Sequence, residues 1–255
     1  MTVQTAARNG QVRFRFYEEL NDFLPPARRK RDFDVPYNRA SVKDMIESLG
    51  VPHTEVDLIL ANGVSVDFSY LVRPGDRIAV YPVFESFDIA GLTRLRPEPL
   101  RRPRFVLDTH LGKLARYLRL LGFDALYSNA YSDAELAAIS AEGEKRILLT
   151  RDHGLLKRAS VTHGCFVRAT VPERQAVEVL RRFDLGRRAV PFSRCLQCNG
   201  KLRRAAPAEI ADRVPPGVAR DFHVFSACDD CGRVYWAGSH YDRLRRIVEQ
   251  LLGET

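Results

Sequence analysis

Phe105-Val-Leu-Asp-Thr-His-Leu-Gly-Lys-Leu-Ala-Arg-Tyr-Leu-Arg-Leu-Leu-Gly-Phe-Asp124 opens with a short apolar run that stops on a carboxylate, then takes up a helical rhythm. Phe105 to Asp108 reads as a strand ending in an aspartate. Leu111 to Leu121 reads as a helix, with apolar positions 111, 114, 118 and 121 on one face. Outward from this stretch the alternation repeats. Gly122 to Tyr127 is a second strand, and Ser132 with Glu135 forms a capping box for a helix running to Ala141. Arg146 to Thr150 is a third strand, followed at once by Arg151-Asp152. Gly164 to Arg168 is a fourth, and Glu173 to Phe183 a closing helix. Strands and helices alternating at this spacing predict an α/β fold with a parallel sheet.

In such a sheet Asp108 and Asp152 stand at carboxyl ends of strands, on the rim where α/β folds place their sites. Asp133 or Glu135, at the start of a helix, reaches the same rim. Carboxylates gathered at one edge repel each other unless a cation neutralises them, so a hard divalent ion with oxygen ligands, Mg²⁺ or Mn²⁺, is the natural occupant. Such a site suits in-line hydrolysis of a phosphodiester. Plainer readings stand beside this one: Asp133 as an acid favoured by the helix dipole, and Asp124 as a turn residue. Lys113 and Arg116 lie off the apolar stripe of their helix and Arg119 at its margin, while Arg151, Lys157 and Arg158 add to the rim. As a group they suit phosphates flanking a scissile bond; any one of them alone is equally a solvated charge.

Residues 105–124, together with Ile147-Leu-Leu-Thr-Arg-Asp-His-Gly-Leu-Leu156, closely resemble the Mut7-C RNase domain family. The resemblance covers 105 to about 245. It implies a PIN-like, metal-dependent ribonuclease with its acids on Asp108, Asp133 and Asp152, and many members carry an N-terminal ubiquitin-like domain. The segment after Asp152, His153-Gly-Leu-Leu-Lys-Arg158, departs from the pattern of active PIN nucleases by offering no fourth acid.

Cys195-Leu-Gln-Cys198 and Cys228-Asp-Asp-Cys231 are two C-x-x-C pairs separated by 29 residues. Each pair can place two thiolates on one Zn²⁺, the closed arrangement of a structural site, so a zinc ribbon is expected. Cys165 stands alone in an apolar strand and reads as core. Arg187 to Arg204 holds six basic residues and no acid, and Val234 to Tyr241 gathers Tyr235, Trp236, His240 and Tyr241. "Tyr-Trp-Ala-Gly-Ser-His" (235–240) also resembles the end of the family's ribbon portion. Arginines interleaved with aromatics suit single-stranded RNA, with His240 a candidate contact. Core packing is the plainer reading, and the favoured one for Trp236. Residues 241–252 read as a closing helix.

The N-terminal part differs in pattern. Val12-Arg-Phe-Arg-Phe-Tyr17 alternates with period two, and Phe33-Asp-Val-Pro36 supplies a second strand. Ser41 caps a short helix, Val42 to Leu49, ended by Gly50. Val56 to Leu60 and Arg77 to Tyr81 are further strands, with Asn62-Gly63 a turn between them. This order resembles a ubiquitin-like β-grasp, and Val72-Arg-Pro-Gly-Asp-Arg-Ile-Ala-Val-Tyr-Pro82 resembles the last strand of small sulfur carriers. Those carriers need a C-terminal Gly-Gly, and no Gly-Gly occurs in the sequence, so a docking or positioning module, with a protein partner, is the expectation, and added stability or solubility alone the plainer alternative. The domain plan is a ubiquitin-like α+β domain at 11–84, a basic Pro/Arg linker at 85–104, a PIN-like domain at 105–186, and a zinc ribbon with C-terminal helix at 187–252.

Composition sets the outer limits. The 255 residues carry a formal charge of +8, with 45% hydrophobic residues, too apolar for a disordered chain. No run approaches the roughly 20 apolar residues of a membrane span, and residues 1–10 lack the features of a signal peptide. Cysteines in ribbon pairs suggest a reducing, cytoplasmic setting. The charge is unevenly spread: residues 11–88 hold 10 basic and 13 acidic side chains, residues 89–255 hold 29 and 19. A polyanion partner is therefore expected of the C-terminal part. The leading expectation is an endoribonuclease acting on RNA, with tRNA a candidate. The alternatives are a noncatalytic RNA (tRNA)-binding protein with a vestigial site, and, more weakly, a DNA-binding regulator.

Overall fold

A computed structural model of the chain describes residues 10–82, 95, 103–142 and 146–255. They fall into two compact units, one comprising Met1–Arg101 with Leu156–Ala159, the other Arg102–Leu155 with Ser160–Thr255. The basic linker expected over 85–104 lies outside the described residues, apart from 95, 103 and 104.

The first unit is a five-stranded mixed sheet with a helix on one face. Its strands are β1 (Gln11–Phe16), β2 (Phe33–Pro36), β3 (Val56–Ala61), β4 (Val64–Val66) and β5 (Arg77–Pro82), in the order β2-β1-β5-β3-β4. The central pair β1 and β5 is parallel and the other pairings are antiparallel. The period-two pattern of β1 sends Val12, Phe14 and Phe16 inward at 1% exposure or less. They meet Val42, Met45 and Ile46 of α1 (Val42–Ser48) in one core. Ser41 caps α1 by accepting from the Asp44 amide at 3.1 Å. The Pro-Gly-Asp turn is held by buried Asp76, which accepts from Asn62, Tyr70 and the Arg73 amide. This is the β-grasp that the sequence suggests, with one correction. The Asn62-Gly63 turn does not lead toward β5; it closes a two-residue hairpin onto β4, pairing Ala61 with Val64. Both turn residues have positive φ, +52° and +85°, as such a hairpin requires. β4 escapes sequence reading because it is three residues long and its Val64 is 63% exposed, leaving no inward pattern.

The second unit contains a four-stranded parallel sheet, β6 (Phe105–Leu107), β7 (Ala125–Tyr127), β8 (Ile147–Thr150) and β9 (Gly164–Phe166), in the order β7-β6-β8-β9. Its connections and flanks are α2 (Gly112–Leu120), α3 (Asp133–Ala141), α4 (His153–Leu156) and α5 (Pro172–Arg182). Every residue of β6 and β8 is buried, which accounts for their continuous apolar runs. Cys165 lies in β9 at 0% exposure, in the core as expected. The same unit continues into a three-stranded antiparallel ribbon, β10 (Leu202–Ala205), β11 (Phe225–Cys228) and β12 (Val234–Trp236), in that order. Short helices α6 (Pro207–Ile210) and α7 (Pro216–Asp221) lie between β10 and β11, and α8 (Ser239–Gly253) ends the unit. The ribbon has its own small core of Ala205, Ile210, Val214, Phe225 and Ala227. Among the described residues no helix is long and apolar enough to cross a membrane.

Candidate active site and metal centre

All four strands of the parallel sheet end on the same rim, and Asp108 leaves β6 there. Its side chain is 8% exposed and is held by hydroxyls: Thr150 Oγ1 donates to Oδ2 at 2.6 Å, and Thr109 Oγ1 to Oδ1 at 3.2 Å. Thr150 ends the neighbouring strand, fully buried, and its hydroxyl also accepts from the Asp152 amide at 2.9 Å. One hydroxyl therefore spans the two strand ends and fixes the backbone that presents Asp152. The Asp152 carboxylate is exposed and turns back to accept from the Gly154 amide at 2.7 Å. Asp133 is the first residue of α3, exposed, on the helix end that follows β7 toward the same rim. Glu135, its alternative in the sequence reading, is committed elsewhere: it closes the capping box on Ser132, and those hydrogen bonds hold its carboxyl below the ordinary range. Thr150 is the residue of this rim that sequence reading missed. Its signal was its place, last in an apolar strand and two residues before an acid.

The basic side chains divide. Lys113 and Arg116 are exposed on α2, as expected. Arg119 is not, and its expected role in holding RNA is corrected. It is 4% exposed, donating through Nε to the Ala125 carbonyl at 2.8 Å and through Nη1 to the carbonyls of Leu196 and Gln197. Burial lowers its pKa, and the nearby sulfurs of Cys198 and Cys195 partly offset that. Arg151 is exposed, but its Nη1 is engaged with the carbonyls of Val167, Arg168 and Ala169, so it ties down the chain after β9. Lys157 and Arg158 fall in the stretch that groups with the first unit. His240 is exposed in the first turn of α8.

At the opposite edge of the sheet the ribbon is docked. Asp124, which precedes β7, accepts from Arg146 Nη1 at 2.7 Å, Asn199 Nδ2 at 2.8 Å and Arg194 Nη2 at 3.2 Å. Burial would push this carboxyl up; the bonds from Arg146 and Asn199 and the two positive charges override it and hold it below the ordinary range. Asn199 also accepts from the Ala125 amide, sealing the start of edge strand β7. Reading Asp124 as a turn residue therefore missed its part as the join between sheet and ribbon. Gly122, at φ +91°, belongs to the same join: a Cβ there would lie 2.3 Å from the Val190 carbonyl oxygen.

The four cysteines converge as their spacing predicts. Cys195 Sγ lies 3.5 Å from Cys231 Sγ, Cys198 Sγ lies 3.4 Å from Cys228 Sγ, and all four sulfurs fall within 4.8 Å of one another. Sulfurs about 2.3 Å from a tetrahedral ion would stand roughly 3.8 Å apart, so the donor set fits a metal ion and a zinc ribbon. Each pair sits on a tight turn, with Asn199 N donating to Cys195 O and Gly232 N to Cys228 O. Gly200 is required by close approach: a Cβ would lie 2.9 Å from Cys228 Sγ. The thiols alone are in conflict. Burial pushes Cys195 up, but bonds from the Tyr235 hydroxyl and the turn amides bring it down to about 6. Burial and neighbouring sulfurs push Cys198 up to about 12. A bound cation resolves this by favouring thiolate at every position. Among the described residues, these cysteines are the one set of three or more metal-ligating side chains drawn together this closely; the three rim aspartates are not.

Comparison with known proteins agrees with this architecture. Residues 9–88 match the family model described as Mut7-C ubiquitin. A human protein described as an exonuclease mut-7 homolog is 28% identical over 234 aligned residues, covering 60% of this chain. The chain spans about a quarter, 26%, of that relative's length. No solved structure matches. Residues 103–248, more than half of the chain and including both the parallel sheet and the ribbon, match the Mut7-C RNAse domain model, and the chain belongs to that family.

Proposed function

We propose that the chain is a divalent-metal-dependent ribonuclease that cuts RNA at the rim of the parallel sheet, with Asp108, Asp133 and Asp152 as its acids. The observation that carries this reading is the surroundings of Asp108. It is buried, yet among the described residues its partners are hydroxyls rather than a lysine or arginine. A buried carboxylate without a positive neighbour calls for a cation. Mg²⁺ or Mn²⁺ would be held by Asp108 and Asp152, with Asp133 completing the set, and would supply Lewis acidity at the scissile phosphate. The chain's own part is positioning: Thr150 orients Asp108 and fixes Asp152, while Lys113 and Arg116 hold flanking phosphates. The ribbon takes Zn²⁺ as a structural ion, and the β-grasp serves as a docking module for a protein partner, in a cytoplasmic setting.

The substrate proposed is RNA, tRNA among the candidates, cut endonucleolytically. Incubation with total tRNA and Mn²⁺, with mapping of the ends, tests this. Internal fragments from the wild type and none from Asp108→Asn are expected. Trimming confined to ends would replace the endonuclease by an exonuclease, the activity in the human relative's name. Equal cleavage by both proteins would sink the reading. One observation favours a second reading, noncatalytic RNA binding: Asp133 and Asp152 are exposed and do not close on Asp108 as the cysteines close on one another. RNA binding that persists with no cleavage under any divalent ion would establish it.

A further inference from the structure

The ribbon sheet buries one face and leaves the other open. Ala205, Phe225 and Ala227 turn into the ribbon core. Arg204, Ser226 and Tyr235 stand opposite one another across the three strands. They therefore share the second face, with Leu202 and Val224 two residues along. A cavity of about 470 Å³ opens on this face. α8 walls it with His240 and Tyr241, Phe192 packs on Tyr241 with ring centroids 4.7 Å apart, and Trp236, packed against the ribbon core as expected, reaches its edge. The lining is mainly apolar, and Val224 is 60% exposed within it. Half-buried rings and an exposed aliphatic gathered in a concavity mark a binding surface.

The surrounding charge selects the occupant. Arg194 lines the cavity, with Nη2 on Asp124, and Arg204 stands on the open face itself. A basic lane then leads away. Arg243, three residues past His240 on α8, acts electrostatically on Tyr117 of α2, as Arg116 does. Tyr117 donates to Glu173 at 2.5 Å, and Lys113 acts on that carboxylate in turn. α2 starts four residues after Asp108 and ends beside the knuckle that Arg119 holds, so Arg116 and Lys113 lead from the ribbon toward the acidic rim.

We propose that the open face of the ribbon sheet holds one unpaired base of the RNA, stacked against Tyr241 and Phe192 beside the edge of Trp236, while Arg243, Arg116 and Lys113 carry the connecting phosphates to Asp108. This rests on the ribonuclease reading and narrows its substrate to RNA with an unpaired segment beside the cut. Rings provide sequence-tolerant stacking and arginines neutralise the backbone, the pairing typical of single-strand grooves.

Trp236 is the only tryptophan in the chain, so its emission reports on the cavity without any need for cleavage. The test titrates the full zinc-loaded chain, without Mg²⁺ or Mn²⁺, with a labelled six-nucleotide oligoadenylate, reading Trp236 emission and label anisotropy together. Saturable quenching is expected, with binding about tenfold weaker for Tyr241→Ala, as for loss of one stacked base. Val224→Glu should weaken binding comparably; its exposed position keeps the test valid if Tyr241→Ala does not fold. A blunt duplex of the same length should leave the emission unchanged. Two outcomes in which the oligonucleotide binds overturn the proposal: quenching by the duplex equal to that by the single strand, or anisotropy-detected binding with unchanged emission and wild-type affinity in both variants. The second would assign the cavity to an apolar protein segment. Neither touches the ribonuclease reading, which stands or falls on Asp108→Asn cleavage. Absence of oligonucleotide binding by both readouts also overturns the proposal, and reaches the ribonuclease reading only if Asp108→Asn cuts as well as the wild type.

Discussion

Two aspartates stand at opposite ends of the same parallel sheet, and their surroundings differ in kind. Asp124 meets two arginines and an asparagine, so its charge is satisfied within the protein. Asp108, more deeply placed on the opposite rim, meets threonine hydroxyls and, among the described residues, no arginine or lysine. A carboxylate given its own cations serves as a joint. One without them is, on the proposed reading, the one that recruits a cation from solution. On the proposed reading the sheet keeps one edge for assembly and the other for chemistry, and the two edges should answer differently to the same perturbations.

The largest contrast should come from metals. Stripping zinc with a chelator, or Cys198→Ser, should remove most of the roughly 10 kcal/mol that a structural zinc site contributes. Circular dichroism and hydrogen exchange should show loss of the ribbon and of protection at Ala125. Withholding Mg²⁺ and Mn²⁺ should leave the melting curve unchanged, and a melt that moved equally in both cases would erase the distinction. Next in size, Asp108→Asn should cost about 10²–10³-fold in cleavage rate while Tm stays at the wild-type value; a large fall in Tm would make Asp108 another joint.

Asp124→Asn should do the reverse. Leaving Arg146 and Arg194 half-buried without their carboxylate should destabilise the unit by about 3 kcal/mol, with cleavage per folded molecule retained. Because the folded Asp124 carboxyl lies below its unfolded value of about 3.9, its contribution is complete above that pH and is lost as pH falls through the lower folded value. Denaturant melts from pH 5 to pH 2 should therefore slope less steeply for Asp124→Asn than for the wild type. The smallest effect belongs to the rim's support. Thr150→Val should reduce cleavage about tenfold and raise the Mn²⁺ concentration needed, with little change in fold. A variant as active as the wild type at every metal concentration would remove Thr150 from the site.

What could be read in the sequence was whatever leaves a local trace. The alternation of β1, the apolar runs of β6 and β8, the Ser132–Glu135 box and the paired cysteines each announce themselves within a few residues, and each is where it was expected. The ion pairs of Asp124 with Arg194 and its bond to Asn199 span 70 and 75 residues, and nothing near Asp124 points to them. Arg119 misled for a related reason. At the edge of an apolar stripe an arginine faces solvent unless acceptors wait inside, and its acceptors, the Leu196 and Gln197 carbonyls, lie 77 and 78 residues away. Asp108 and Asp152 were placed by strand ends and Asp133 by a helix start, which the sequence marks well; Thr150 was passed over because a hydroxyl ending a strand looks like any other threonine.

The bond from the Ala125 amide to Asn199 sets a timetable for biosynthesis. Strand β7 emerges from the ribosome well before the turn that seals it, and at 5–20 residues per second the intervening stretch takes roughly 4–15 s to appear. Through that interval the edge of the sheet is open, and the last cysteine of the cluster arrives later still. An RNA-cutting rim assembled early would sit on an unfinished frame, so completion of the sheet waits on the ribbon. The order of translation thereby places any metal loading of the four cysteines among the last events in the maturation of this unit.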